Sequence, residues 1–121
     1  MSYDPQNIFA KILRQEIPCK KILENQWALA FHDINPRAPI HALVIPKGAY
    51  VSSADFYARA RDEEIAGFYR FVGEVVAHLE LEAPGYRLLS NCGVNGGQEV
   101  PHFHVHIFGG RALGPMLANA G

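Results

Sequence analysis

Apolar positions recur along this chain with two different periods, and each period predicts a different kind of element. Near the N-terminus, Asp4 followed by Pro5 is typical of a helix start. The apolar residues that follow on one helical face are Ile8, Phe9, Ile12 and Leu13. A longer helical pattern begins at Asp62, where three consecutive acids favour a helix N-terminus. Its apolar stripe consists of Ile65, Phe68, Val72, Val75, Val76 and Leu79, and Pro84-Gly85 follows it.

Short runs rich in β-branched, aromatic and aliphatic residues predict strands before and after the long helix. The predicted strands are residues 20–23, 27–32, 41–45, 86–91 and 102–108. Turn-forming residues separate them at 24–26, 35–39 and 93–97. The stretch 48–60 is hard to assign, although Ser52, Ser53 and Asp55 suggest turns or a short helix. The order of elements predicts one α+β domain with a mainly antiparallel sheet.

The composition indicates what kind of protein this is, but it does not indicate a function. The 121 residues fit one domain, and 49% hydrophobic residues are enough for a core. The formal net charge of -1 gives no electrostatic argument for binding nucleic acid, whereas a small anion can be held by backbone amides. The two cysteines, Cys19 and Cys92, lie far apart and favour a reducing compartment. Without a signal-peptide pattern or a membrane-length apolar run, the sequence predicts a soluble cytoplasmic protein.

Three of the six histidines, His102, His104 and His106, alternate with apolar residues. On a strand such residues share a face, so their imidazoles are expected about 6.6 Å apart. The apolar side chains pointing the opposite way are Phe103, Val105 and Ile107. A row of imidazoles can supply a nucleophile, a proton donor and an anion ligand near neutral pH. A structural role or an open metal site also fits this spacing, although one strand rarely completes a zinc shell.

Glycine-bearing segments flank the histidine strand, with Gly96-Gly97 before it and Gly109-Gly110 after it. Glycine allows the close backbone approach that a phosphate-binding loop requires, although an ordinary hairpin has the same composition. Three longer blocks accompany the triad: IFAKILRQEIP, LAFHDINPRAPIHALVIPK and GGQEVPHFHVHIFGGR. With them, the chain resembles the HINT branch of the histidine-triad (HIT) superfamily.

The resemblance covers residues from about 8 to 111 of a single HIT domain, 1–121, in which 112–121 form a C-terminal tail. It implies an α+β HIT fold: a five-stranded, mainly antiparallel sheet with one long and one short helix. It also implies a homodimer whose sheet continues from one subunit into the other. The apolar stripe of the long helix is broad enough to serve both core and interface, and the sequence does not divide it between them.

The resemblance implies a role for each of four histidines. His104 matches the nucleophile that attacks the α-phosphorus and forms a covalent nucleotidyl intermediate. His106 matches the histidine that contacts the phosphate. His102 matches the residue that orients the nucleophile, and His41 matches a further member of the proton network. No cofactor or metal is implied, because relatives with a zinc site near the N-terminus carry a cysteine pair around Ala10.

The resemblance also implies a purine-nucleotide pocket. Asp33 matches an acid that binds the ribose hydroxyls, although by itself it would be a turn residue. The remaining base- and ribose-side residues are Phe9, Ile12, Phe31, His32, Ile34 and Leu43. The phosphate-side residues are Asn91, Gly97, Gln98, Glu99 and Val100. Glu99 stands where many eukaryotic relatives have serine, a difference that bears on how the leaving group is treated. The tail after Arg111 also differs from that of eukaryotic relatives, and substrate preference is the property most exposed to that difference.

These implications predict a hydrolase of purine nucleoside 5'-phosphoramidates, such as AMP-lysine and related AMP or GMP compounds. The protein would act without a cofactor and would bind neither nucleic acid nor membrane. Two alternatives stay open. One is a dinucleoside polyphosphate hydrolase of the same superfamily. The other is a purine-nucleotide-binding regulatory module in which hydrolysis is incidental.

Overall fold

The computed structural model describes residues 2–118, so Met1 and residues 119–121, the last three of the predicted C-terminal tail, lie outside the described residues. The described chain contains five strands and four helices in an α+β arrangement. In order, the elements are α1 (Ile8–Leu13), β1 (Lys20–Glu24), β2 (Ala28–His32), β3 (Ile40–Pro46), α2 (Ser53–Arg59), α3 (Asp62–His78), β4 (Arg87–Leu89), α4 (Gly93–Gly96) and β5 (Val105–Gly109). None of these helices is long and apolar enough to span a membrane.

All strands pair in one antiparallel sheet with the order β1-β2-β3-β5-β4, which confirms the predicted fold class. In the register of β3 and β5, Leu43 lies opposite His106, and His41 lies opposite Phe108. Directly opposed residues in an antiparallel pair point to the same face. The pairing therefore brings His41 beside the histidine strand, although 65 residues separate it from His106 along the chain.

The two faces of the sheet bury separate apolar clusters. The helix-side cluster packs α3 and α2 against the sheet and includes Phe56, Phe68, Phe71, Val72, Val75, Val76, Phe103, Val105 and Ile107. The pocket-side cluster packs α1 against the other face and consists of Phe9, Ile12, Leu29, Phe31, Leu43 and Ile45. Strand alternation sends consecutive residues of β2 and β3 into opposite clusters.

Helix α3 has the predicted acidic start, and the Arg61 backbone N–H donates to Glu64 Oε1 at 3.3 Å. Four residues of its predicted apolar stripe, with Phe71 in addition, are buried within this chain. Ile65 and Leu79 are partly buried and pack against the same cluster. The stripe therefore belongs mainly to the core of the chain itself.

The first helix begins three residues later than predicted. Asp4 Oδ1 accepts a hydrogen bond from the Gln6 backbone N–H at 2.9 Å, which closes a turn ahead of the helix. Asn7 is the N-cap, and its Oδ1 accepts from the Ala10 N–H at 2.9 Å. The prediction of a start at Asp4 and Pro5 is wrong because asparagine, itself buried, provides the competing cap.

More helices form than the one long and one short helix that were predicted. Residues 53–59 form α2, capped by Ser52, and the predicted loop at 93–97 contains the short helix α4. Gly97 ends α4 with φ of 72°, a conformation that suits glycine. A four-residue helix is too short to show an apolar period, so the pattern contained no signal for it.

The last two strands are shorter than the predicted ranges 86–91 and 102–108, because they span only Arg87–Leu89 and Val105–Gly109. Just before β5, backbone groups of residues 103 and 104 form hydrogen bonds outside the sheet. The Phe103 N–H donates to the Tyr50 carbonyl at 2.7 Å, and the Ser90 hydroxyl donates to the His104 carbonyl at 2.9 Å. Side chains still alternate through this segment, although its hydrogen bonds are not those of a strand.

Candidate active site

His41, His104 and His106 line a pocket of about 460 Å³ on the pocket side of the sheet. Strands β3 and β5 form its floor, and α1 contributes Phe9. Its walls include residues of the loop between β2 and β3 and of the loop after α4. The lining residues are Phe9, Asp33, Asn35, Arg37, His41, Leu43, Leu89, Asn91, Gly96, Gly97, Glu99, Val100, His104, His106 and Phe108.

The alternation predicted for the histidine segment is confirmed for His104, His106 and the apolar residues that alternate with them, whereas His102 does not line the pocket. Phe103, Val105 and Ile107 lie in the helix-side cluster. On the other face, the rings of His104 and His106 have centroids 5.0 Å apart, and both line the pocket.

His104 is held in one orientation by a hydrogen bond to the preceding histidine. Its Nδ1 lies 2.7 Å from the His102 carbonyl oxygen, which can only accept, so Nδ1 carries the proton. The neutral ring then keeps a lone pair on Nε2. Burial lowers the pKa of the His104 imidazole, which favours this neutral form near pH 7. The Phe9 ring packs edge-on against it, with centroids 4.9 Å apart.

His102 lies behind the pocket and is 0% exposed. Its Nε2 donates to the Pro46 carbonyl at 2.9 Å, so the neutral ring accepts at Nδ1. There, Tyr3 Oη donates at 2.7 Å. Burial lowers the pKa of His102 to about 4, so the ring is neutral near pH 7. Both ring nitrogens of His102 are thus hydrogen-bonded. These bonds hold the residue in place, and its backbone carbonyl in turn orients His104.

A chain of three hydrogen-bonding groups fixes the tautomers of the other two histidines. The Arg37 backbone N–H donates to His41 Nδ1 at 3.1 Å, so His41 carries its proton on Nε2. That Nε2 lies 2.9 Å from His106 Nδ1, which therefore accepts. His106 consequently has its own proton on Nε2, the nitrogen left to act as a donor. Burial is the main cause that lowers the pKa of His41 and brings that of His106 to about 4.

Asp33 stands at the end of β2, beside this chain. Its Oδ1 accepts from the Asn35 N–H at 2.8 Å, and its Oδ2 lies 3.5 Å from His41 Nε2. Asp33, His41 and His106 each place one ligand atom within 4.8 Å of the others. His41 and His106 are also joined by their own hydrogen bond. That no metal acts here stays a prediction.

The loop after α4 is braced by side chains that return to its own backbone. Asn91 Nδ2 donates to the Gly96 carbonyl at 2.6 Å. Gln98 Oε1 accepts from the Gly93 N–H at 3.1 Å, and its Nε2 donates to the Val51 and Val100 carbonyls. This use of Gln98 is structural, and its side chain does not line the pocket, whereas exposed Glu99 does.

Several predicted pocket residues lie elsewhere. Ile12 and Phe31 are buried in the pocket-side cluster and do not line the pocket. Ile34 is 78% exposed. His32 is also exposed, and its register partner Ala42 belongs to the helix-side cluster, so His32 points away from the pocket. The structure does not bring these four, or Gln98, to the pocket lining.

Sequence reasoning missed six residues that contribute to the site: Tyr3, Asn35, Arg37, Leu89, Gly96 and Phe108. Strand alternation could have found Phe108, which is two residues beyond His106. Arg37 and Asn35 could have been found from their position between Asp33 and His41. Nothing local distinguishes Tyr3, because its partner is 99 residues away.

Comparisons with known proteins match this geometry. A family model for the HIT domain matches residues 14–113. An uncharacterized 13.2 kDa HIT-like protein of Azospirillum brasilense is 65% identical over 116 residues, covering 96% of this chain and 95% of that protein. The purine nucleoside phosphoramidase of Escherichia coli (strain K12) is 42% identical over 117 residues, covering 96% and 97% of the two chains.

A solved structure also resembles this fold. A histidine triad protein from Clostridium difficile superimposes with a TM-score of 0.83 at 36% sequence identity, covering 96% of this chain and 100% of that one. The family model includes both pocket loops and all the pocket histidines, but it begins after α1. Phe9 and Tyr3 therefore contribute to the site from outside the matched segment.

Proposed function

The chain belongs to the HIT domain family, and on that premise we propose that it is a HINT-type hydrolase of purine nucleoside 5'-phosphoramidates. It cleaves the phosphorus–nitrogen bond through a covalent intermediate on His104. The observation that carries this proposal is the hydrogen bond from His104 Nδ1 to the His102 carbonyl, which leaves Nε2 free as a nucleophile. The choice of a phosphoramidate follows the name of the Escherichia coli relative.

In the first step, His104 Nε2 gives its lone pair to the α-phosphorus while the phosphorus–nitrogen bond breaks. The amine leaves with the electrons of that bond and takes a proton from solvent. Because Nδ1 keeps its own proton, the phosphorylated ring becomes positively charged. The His102 carbonyl accepts the hydrogen bond from Nδ1 and stabilises that charge.

In the second step, water attacks the α-phosphorus and the bond from phosphorus to Nε2 breaks. The electron pair returns to Nε2, the water releases a proton to solvent, and the nucleoside 5'-monophosphate leaves. In both steps, His106 Nε2–H donates to a non-bridging phosphate oxygen. The His41–His106 hydrogen bond holds that donor in place.

The purine nucleoside occupies the side of the pocket nearest α1 and Asp33. Phe9 and Leu43 supply apolar surface for the base, and Asp33 accepts hydrogen bonds from the ribose hydroxyls. On the opposite side, the backbone amides around Gly97 and Val100 donate to phosphate oxygens. No cofactor takes part in either step.

The active protein is a homodimer in which the sheet continues from one subunit into the other. Strand β4 lies at one edge of the sheet, so its outer hydrogen-bonding groups are available to a second copy. Tyr86 and Leu88, at 45% and 43% exposure, provide apolar surface along the same edge.

The test compares wild type with His104→Ala, using a fluorogenic adenosine 5'-phosphoramidate and measuring AMP binding to both proteins. We expect turnover to fall by about three orders of magnitude or more, because the covalent route is lost, while AMP binding persists. The product should be AMP, and sedimentation of the same samples should give twice the mass of a 13.4 kDa chain.

Three results would contradict these proposals. AMP binding without turnover above that of His104→Ala would leave a nucleotide-binding module. Preferential cleavage of dinucleoside polyphosphates would make this a different hydrolase of the same family. A monomer mass at micromolar concentration would refute the homodimer.

A further inference from the structure

The described lining of the pocket carries few positive charges for a site that holds an anionic nucleotide. Of its fifteen residues, two are acids, Asp33 and Glu99, and one is a formal cation, Arg37. The remaining charge would have to come from His41, His104 or His106.

The pocket histidines do not provide that charge near neutral pH. Burial lowers the pKa of all three below the usual value for histidine, to about 4 in His106. Their hydrogen bonds agree with neutral rings, since His41 Nδ1 and His106 Nδ1 each accept a hydrogen bond from a neighbour. Arg37 is therefore the only permanent cation among the described lining residues.

The backbone of Arg37 is held in place, whereas its side chain makes no polar contact with the described residues that would hold it. Pro36 precedes it and Pro39 follows two residues later, and both restrict the loop. Its N–H is hydrogen-bonded to His41 Nδ1. Within residues 2–118, by contrast, its guanidinium has no hydrogen bond or ion pair.

Most of the other arginines have protein partners, although exposed Arg70 has no hydrogen bond or ion pair within residues 2–118. Arg14 pairs with Glu16, and Arg59 donates to Asp55 and to the Ala49 carbonyl. Arg37 instead lines the pocket, and the charge of its guanidinium opposes protonation of His41 and of His106. A planar guanidinium with five donors suits phosphate oxygens.

We propose that the Arg37 guanidinium binds the phosphate end of the substrate and supplies the positive charge of the pocket. The inference rests on the proposed function, because it takes a nucleotide as the ligand. It assigns Arg37 two separate tasks. The backbone N–H sets the tautomer of His41, and the side chain determines the affinity for anionic ligands.

The experiment separates the two tasks with Arg37→Gln and Arg37→Lys, which both keep the backbone N–H. Binding of AMP and of uncharged adenosine is measured by calorimetry. We expect Arg37→Gln to weaken AMP binding about tenfold, as for a lost charged hydrogen bond, and to leave adenosine binding unchanged. Arg37→Lys should retain most of the AMP affinity. Lys20→Gln makes the same charge change at an exposed position outside the pocket lining and should resemble wild type.

Salt provides a second readout. At about 1 M salt, where the screening length is roughly 3 Å, the difference between wild type and Arg37→Gln should shrink. Equal losses for AMP and adenosine would overturn the inference, because they would indicate a damaged loop. Unchanged AMP binding in Arg37→Gln would overturn it while leaving the hydrolase proposal intact. Failure of wild type to bind AMP would overturn both.

Discussion

The two faces of the sheet use the same alternation of side chains for opposite purposes. On the helix side, β5 presents Val105 and Ile107 to a cluster that is almost entirely aliphatic and aromatic. On the pocket side, the next residue, His106, lines the pocket, as does His104 just before the strand. The first face stabilises the fold through apolar burial, whereas the second holds titratable groups in fixed positions.

The pocket side can bury imidazoles because each one is hydrogen-bonded. His41, His102 and His104 are all less than 7% exposed, an environment that is costly for an unpaired polar group. Within residues 2–118, however, no buried side-chain nitrogen or oxygen lacks a partner. The comparison teaches that substitutions on the helix side should act on stability, and those on the pocket side on protonation and turnover.

The largest expected effect on stability is that of Phe103→Ala, on the helix side. Phe103 is 1% exposed, stacks on Phe56 with centroids 4.8 Å apart, and contacts Phe68. Its loss should lower the free energy of unfolding by about 3–5 kcal/mol, as for other buried phenylalanines. Urea unfolding followed by circular dichroism measures this, and His104→Ala is the control from the opposite face. Equal destabilisation by the two substitutions would show that the helix side does not dominate the stability of the fold.

The next effect is a pH dependence of stability that originates on the pocket side. Folding lowers the pKa of His102 from about 6.5 to about 4, so between these values the unfolded chain binds more protons. The contribution of His102 is therefore complete above pH 6.5 and is lost as the pH falls towards 4. This change in pKa corresponds to about 3 kcal/mol in the free energy of unfolding.

Urea unfolding at a series of pH values checks this prediction. Wild type should lose stability steeply between pH 6.5 and 4, and His102→Asn should show a shallower loss because one titrating group is gone. Identical slopes in the two proteins would show that His102 is not the source.

The smallest expected effect concerns Tyr3, which joins the N-terminal segment to the pocket side. Tyr3→Phe keeps the ring but removes the hydroxyl that donates to buried His102 Nδ1. The unpaired nitrogen should cost about 1–3 kcal/mol of stability and lower turnover more than AMP binding. Tyr57→Phe, at a tyrosine that is 58% exposed, is the matched control. Nitrogen-15 chemical shifts of His102 that stay the same in Tyr3→Phe would refute this role.

Local sequence patterns predicted the features that depend on neighbouring residues. The alternation in 102–108 correctly divided histidines from core residues, and the apolar period identified α3 and most of its buried face. Both features follow from the repeat of a strand or a helix, which is a property of consecutive residues. Predictions failed where a competing local group decided the outcome, as at Asn7, or where an element was as short as α4.

Tertiary structure alone decided which groups fix the protons of the site. The family resemblance implied that His41 belongs to the proton network of the triad, but only the pairing of β3 with β5 places its Nε2 2.9 Å from His106 Nδ1. Likewise, only the packing of the N-terminal segment brings Tyr3 to His102. A tautomer is set by the partner at each ring nitrogen, and those partners lie far away in the chain. No pattern of neighbouring residues encodes them, because the register of the sheet and the paths of the loops create the contacts.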